Sequence, residues 1–445
     1  MTCDILISNC SVLTPDYNVA ENMSIAIRDS RIAAVDKAEL LSETYSAKET
    51  IDGRGKLAMP GLVDGHTHVC QHLLRGRISD EFPMIWTRFL VPFESSLEPD
   101  DVYWSTQLAC LQMIRSGTTA FADAGGTHMN RAADAVLESG LRAAIARSVM
   151  DQGRNIPDSM KDHTRDCIEK TADLYQGYHG KGDGRIQIYF GLRQLMSCSA
   201  ELIRLTGDYA RQLKTGVHIH LAEHKDEVVF CLENFHLRPV EYLHHLGLVG
   251  ENLLAAHCVA ISEAEIDLIS RQQMNVVHCP RANFCCQGFP KTPRLLETGA
   301  VVGLGSDGAA RDDISIFEEM KTIRVGLTAA WGLPIFDSTV LPNRAILRMA
   351  LQGGASALGL KQELGALEPQ RKADIILLDI RQPHLYPSHN LTNTLAEAAN
   401  AQDVTDSIIN GAIVMRNREV LTLDEERILA ECAGRARKIF ERAGI

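Results

Sequence analysis

The chain lacks several features that would settle its class at once. It has no surplus of positive charge: over 445 residues the formal net charge is −12 and the isoelectric point lies near 5.7. That balance argues against nucleic acid or an anionic membrane as the main partner. No apolar run approaches the roughly 18–20 residues that a membrane-spanning helix needs. The opening "MTCDILISNCSVLTPD" has neither a basic n-region nor a long apolar core, so it does not read as a secretory signal. Twelve cysteines are present, yet there is no CxxC pair and no regular disulfide spacing. Free thiols in a reducing compartment fit that pattern, and the cytoplasm is the expected location. Charge runs, low-complexity tracts and internal repeats are missing. A doubly wound sheet is the runner-up fold, but no GxGxxG follows the first strand.

What is present is an ordinary globular composition, 45% hydrophobic and 23% charged. The length fits a barrel of roughly 250–300 residues with a smaller second body. Both ends read as short strands punctuated by Gly, Asn and Asp: "DILISNCSVLT", "MSIAIRDSRIAAVD" and "ETIDGRGKLAMPG" at the start, and "ADIILLDI" and "DSIINGAIVMRNREVL" near the end. The last of these is a hairpin turning at Asn410-Gly411, and a helix follows from about Leu423. Two ends of the same texture predict one small β-sandwich domain, residues 1–57 with 366–445.

Between them, short apolar runs alternate with helix-like stretches. They are "LAMPGLVDGHTH", Gly117–Gly126, Arg142–Asp151, Ile186–Gln194, Gly216–Glu223, Asn252–Cys258, Asn275–Pro280 and Val301–Asp307. Eight strands separated by helices predict an α/β fold, a (β/α)8 TIM barrel over 58–365.

Chemistry in such barrels sits at the C-terminal ends of the strands. The first run ends in His66 and His68, which share a face because side chains at i and i+2 do. Taken alone, His-x-His reads better as two exposed loop histidines than as half a metal site. The fifth run, however, ends in "HIHLAE" with His218, His220 and Glu223. The sixth ends in His257, the seventh in His278 and the eighth in Asp307. Metal-type endings on five strands of eight turn the reading to a metal centre.

This pattern resembles the amidohydrolase superfamily over nearly the whole chain, including the split β-domain and "PGLVDGHTH" itself. The resemblance implies that His66, His68, His220 and Asp307 bind the metal. It implies that Glu223, of the "HxxE" element, is the acid/base group and that His257 sits beside the attacking water. Neutral imidazoles with one carboxylate leave a divalent ion Lewis-acidic enough to bring water to ionisation near neutral pH. Asp307 can take that proton. Glu223 lies three residues past His220, so strict alternation turns it away; it should lie just beyond the strand, aimed at the substrate. His218 is expected one layer deeper as a packed, hydrogen-bonded histidine. His278 is expected to be structural, and His244-His245 to lie on a helix surface.

Binuclear members bridge two metals through a lysine at the end of the fourth strand. Here that strand ends "FGLRQLMSCS", which implies one metal per chain, zinc ahead of iron. "HIHLAEHKDE", "AAHC", "VVHCPRAN", "GLGSDGAA" and "LYPSHNLTNTLAEAAN" resemble the branch of S-adenosylhomocysteine/5′-methylthioadenosine deaminases and s-triazine hydrolases. The adenosine-type deaminases place a histidine where Arg193 stands, and Met196 replaces their tyrosine. Gln71 and Arg193 instead resemble the residues that hold the base in guanine deaminases, although "GSDGAARDD" does not. Their alternative roles are a helix-surface amide and a structural salt bridge. Trp86, in "FPMIWTRFL", is a candidate for stacking on a ring with core packing as the alternative, and Asn283 is a further candidate substrate contact.

The expected activity is hydrolytic deamination of a small nitrogen heterocycle by a soluble homo-oligomer that uses neither nucleic acid nor membrane. The rivals are loss of chloride or an alkylamine from a triazine-like ring, cyclic-amide hydrolysis, and a non-catalytic metal-binding scaffold. Glu223 favours amine loss, because an amine must be protonated to leave and chloride need not be.

Overall fold

The computed structural model describes residues 1–81, 84–153, 156–310 and 313–445. Each of the eight runs expected in the barrel contains a strand: Leu62–Thr67, Thr118–Asp123, Arg142–Val149, Ile186–Leu192, Val217–Leu221, Leu253–His257, Asn275–His278 and Val301–Leu304. They pair in sequence order, each parallel to the next, so the order never reverses as a doubly wound sheet requires. Their residues are buried almost throughout, which is why the runs are continuously apolar rather than alternating.

The eighth strand meets the first at the end that carries the chemistry. The Asp307 amide donates to the His66 carbonyl at 2.9 Å. Gly305 makes this approach possible, since a Cβ there would lie 2.8 Å from the His66 nitrogen.

The terminal segments form one mixed sheet of nine strands. Its long first strand, Thr2–Leu13, pairs antiparallel with Val19–Arg28 on one side. On the other it pairs parallel with Ser46–Asp52 and then with Lys56–Pro60. The sheet wraps a core of its own that includes Ile5, Ile7, Ile25, Ile27, Ile375, Leu377 and Ile408. The expected hairpin is present: Ile409 pairs with Ala412, and Asn410 and Gly411 both adopt positive φ, 52° and 80°. The closing helix spans Glu425–Ala443.

A buried ion pair links sheet and barrel. Arg142, at the start of the third barrel strand, holds Asp374 at 3.0 and 3.2 Å, and the same carboxylate accepts the Asn410 amide at 2.8 Å. Ten of the twelve cysteines are buried, and Cys285 and Cys286 are exposed. Among the described residues, no helix is long and apolar enough to cross a membrane.

Candidate metal centre

The strands end where the side chains must converge, and the backbone then turns sharply. His257 has φ 74°, Ala222 φ 47° and Asp307 φ 59°. Non-glycine residues held in this region cost of order 1–3 kcal/mol each and persist only where surrounding contacts enforce them. Three of them lie at the rim of strands five, six and eight. Strand five stops at Leu221, so Glu223 lies beyond it, after the turn at Ala222.

His66, His68, His220 and Asp307 come together with one ligand atom from each within 4.8 Å of the others. His66 Nε2 lies 3.0 Å from Asp307 Oδ1, and His68 Nε2 lies 3.1 Å from His220 Nε2. Burial, reinforced by neighbouring imidazoles and by Arg193, holds all three histidines well below the ordinary imidazole range. They are therefore neutral and offer lone pairs.

The outer nitrogens show which lone pairs point inward. The His220 Nδ1–H donates to the Arg193 carbonyl at 2.8 Å, which leaves Nε2 as an acceptor. His66 Nδ1 lies 2.8 Å from His218 Nε2. With His66 Nε2 turned to Asp307, Nδ1 carries the proton and His218 receives it in a hydrogen bond. Inward-facing imidazole lone pairs and a carboxylate oxygen at these separations suit a divalent cation among them. Below them, Asp64 accepts from the His66 and Ser306 amides at 3.2 and 3.0 Å and from the Ser306 hydroxyl at 2.6 Å. Burial pushes Asp64 up to about 7 despite those donors.

His257 is fully buried, with Nε2 unpartnered among the described residues and 3.9 Å from Asp307 Oδ1. Its tautomer follows from Asn283. The Asn283 carboxamide oxygen accepts the Cys279 amide at 3.0 Å, so its nitrogen is the atom 3.0 Å from His257 Nδ1. That nitrogen donates; His257 Nδ1 therefore accepts, and the proton sits on Nε2, facing the centre. Asn283 thus stands behind His257 with both ends of its amide engaged, a different place from the substrate contact expected of it. His278 supports the same residue, its Nδ1 2.8 Å from the His257 carbonyl. His244 and His245 are exposed on the last turn of Pro239–His245.

Gln71 and Arg193 meet on a group that the sequence reading missed. Glu94, buried in the helix Val91–Ser95, accepts both Arg193 nitrogens at 2.9 and 3.1 Å and the Gln71 amide at 2.6 Å. Gln71 is buried in the turn Val69–Leu74 and is not on a helix surface. Arg193 follows strand four directly, and its charge is felt by His66, His68 and His220. The Glu94 charge is the largest influence that favours the guanidinium against its burial. Trp86 lies under Arg193, ring centroid 5.9 Å from the guanidinium carbon. Phe82 and Pro83, which begin the "FPMIWTRFL" segment, and Arg311 and Asp312 of "GSDGAARDD" lie outside the described residues. A signal for Glu94 existed: it is a lone carboxylate in the apolar stretch "FLVPFESS".

A second missed carboxylate braces the rim. Glu227 is buried and accepts the Leu195 amide at 3.1 Å and the Ala222 amide, which joins the loop after strand four to the loop after strand five. Burial pushes it up to about 8.

The sequence profile of the amidohydrolase family matches residues 57–414. A 5-methylthioadenosine/S-adenosylhomocysteine deaminase of Pelotomaculum thermopropionicum is 40% identical over 445 residues, 99% of each chain. Among solved structures, an adenosine deaminase from Xanthomonas campestris with bound zinc superposes with a TM-score of 0.91 at 28% identity, over 99% of each chain. The zinc complex of an atrazine chlorohydrolase from Arthrobacter aurescens superposes at 0.88 over 97% of this chain and 100% of that one. Its 23% identity speaks for the fold alone.

Proposed function

The chain belongs to the amidohydrolase family, and from that premise we propose that it hydrolytically deaminates a purine-type ring, free or in a nucleoside, with one zinc ion at the His66–His68–His220–Asp307 centre. The observation that carries this reading is that convergence of three neutral imidazoles and one carboxylate, with Glu223 just past the rim and His257 beside it. Three nitrogens and one oxygen suit zinc, and the donors fit it as described. A divalent ion bound there supplies Lewis acidity that makes water nucleophilic near neutral pH.

The chain's own residues do the rest. Asp307 accepts the proton that the attacking water gives up. His257, with its proton on Nε2, donates a hydrogen bond to the nucleophile and holds it in line. Glu223 protonates a ring nitrogen, so that the ring carbon can accept the oxygen. The Glu223 carboxylate so formed takes the remaining proton of the added hydroxyl and delivers it to the departing amine, which leaves as ammonia, and the proton held by Asp307 returns to Glu223. A screen for ammonia release tests the reading across 5′-methylthioadenosine, S-adenosylhomocysteine, adenosine, guanine, aminopterins and aminotriazines. Release from a purine member is expected; silence across the purines would reject it.

Ring selectivity is assigned to the Gln71–Glu94–Arg193 cluster. Arg193 and Glu94 are both about 5% exposed or less and are bonded to each other. Removing one partner of such a pair leaves an uncompensated buried charge, which costs about 3–5 kcal/mol. Arg193→Met alone should therefore lower the melting temperature and depress activity on every substrate. Arg193→Met with Glu94→Met removes both charges and should recover most of the stability. If the cluster reads the ring, the double variant still discriminates differently from wild type, by roughly tenfold or more in relative kcat/KM between rings with and without a carbonyl. Unchanged selectivity in the stable double variant assigns the cluster to the scaffold.

A further inference from the structure

The short helix after strand seven, Pro280–Cys286, serves two catalytic groups at once. Asn283 holds His257, as described. Four residues on, at the helix end, the Gln287 amide nitrogen donates to Glu223 Oε1 at 2.9 Å. Residues at i and i+4 project from one face of a helix, so both carboxamides face the rims of strands five and six together. The Gln287 amide N–H itself donates to the Asn283 carbonyl at 2.8 Å, which carries the helical bonding through this residue. Glu223 is thus gripped twice: its main chain follows the Ala222 amide bound by Glu227, and its side chain is held by Gln287.

The other end of the Gln287 amide is unused. Its Oε1 is buried and has no hydrogen-bond partner among the described residues. A buried carbonyl oxygen without a donor is costly, so an idle one beside a proton-carrying residue calls for a role. Donor and acceptor of a carboxamide exchange places when the amide turns by half a rotation about its last torsion. With nitrogen forward, Gln287 binds the Glu223 carboxylate; with oxygen forward, it accepts from the protonated acid.

We propose that Gln287 is a positioning residue that keeps Glu223 aimed at the substrate in both of its protonation states. This rests on the deaminase reading, in which Glu223 carries the proton. No proton passes through Gln287.

The test uses the metal-loaded enzyme and two variants. Gln287→Met keeps length and volume but has no strong donor or acceptor; Gln287→His restores an N–H at similar reach. Misplacing a reacting group by about 1 Å can cost on the order of a hundredfold. For Gln287→Met, kcat for ammonia release should fall by roughly tenfold to a hundredfold, with KM within about twofold and metal content unchanged. Chloride loss from the corresponding chloro-ring should fall less. Gln287→His should recover most of the lost kcat. Wild-type kcat in Gln287→Met, or an equal fall for amine and chloride, overturns the proposal. A crystal structure of zinc-loaded Gln287→Met gives a readout independent of turnover: the Glu223 carboxylate is expected to leave its position. If it stays, the proposal fails even if activity drops. If it moves while the wild type releases no ammonia from any substrate, the positioning contact stands and the deaminase reading fails alone.

Discussion

Glu223→Gln will keep its metal and stop releasing ammonia. The substitution preserves the shape of the side chain and removes its capacity to carry a proton. The glutamate is not a member of the inward-facing donor set, so metal content should match wild type by elemental analysis. General acid–base groups of this kind contribute typically about 10²–10⁴-fold, and kcat should fall by that order. The fall should be larger for ammonia than for a chloride leaving group, which departs without a proton. Gln287 sharpens the expectation, because an amide facing an amide at 2.9 Å can still form a hydrogen bond. The variant should therefore fold and hold its side chain in place, and the loss can be assigned to the proton. Wild-type turnover in Glu223→Gln would remove Glu223 from the mechanism.

Removing the metal will both inactivate the enzyme and soften it. Chelation followed by desalting should abolish ammonia release, and one equivalent of zinc per chain should restore it. Among the described residues there is a single group of this kind, and the end of strand four offers Arg193 rather than a lysine that could bridge a second ion. Two ions per chain, both needed for activity, would refute the mononuclear reading. Stability should change as well, because the ion binds the folded state. At free zinc 100 to 1,000 times its dissociation constant the linkage is roughly 2.7–4.1 kcal/mol, visible as a lower melting temperature for the apoprotein. Asp307→Ala should lose the metal at ordinary zinc concentrations. It removes the carboxylate that faces His66 at 3.0 Å and His68 at 3.6 Å.

Much of this architecture was legible in one dimension, and the reason is periodicity. The barrel strands are buried on both faces, so each reads as a continuous apolar run, and each run ends where the polar chemistry begins. His218 and His220 are two residues apart on one strand, which settles that they share a face, while His68 lies one residue past the strand Leu62–Thr67 that carries His66. The turn at Asn410-Gly411 needed two residues at positive φ, and that dipeptide supplies them at small cost. Glu223 could be placed beyond its strand because an odd spacing from His220 is incompatible with alternation.

The remaining site residues interact across the barrel, and no local rule connects them. Glu94 stands 99 positions from Arg193 and Gln287 stands 64 from Glu223. Sequence spacing carries no information about which carboxylate a buried guanidinium will choose. Arg193 and Gln71 were therefore readable as candidates for holding a ring, while only the fold showed that both are bound to Glu94. The tautomer of His257 likewise depends on which end of the Asn283 amide faces it, a choice made by the Cys279 amide on the other side. The sequence by itself determined the strand order and the polar endings of the strands, because these follow from alternation and burial along single elements; which four of those endings form the donor set was implied by the family resemblance. The tertiary structure alone decided which buried polar atoms face one another across elements. That outcome rests on the satisfaction of hydrogen bonds out of water, where an unpaired group is costly and the packing of distant segments selects the partner.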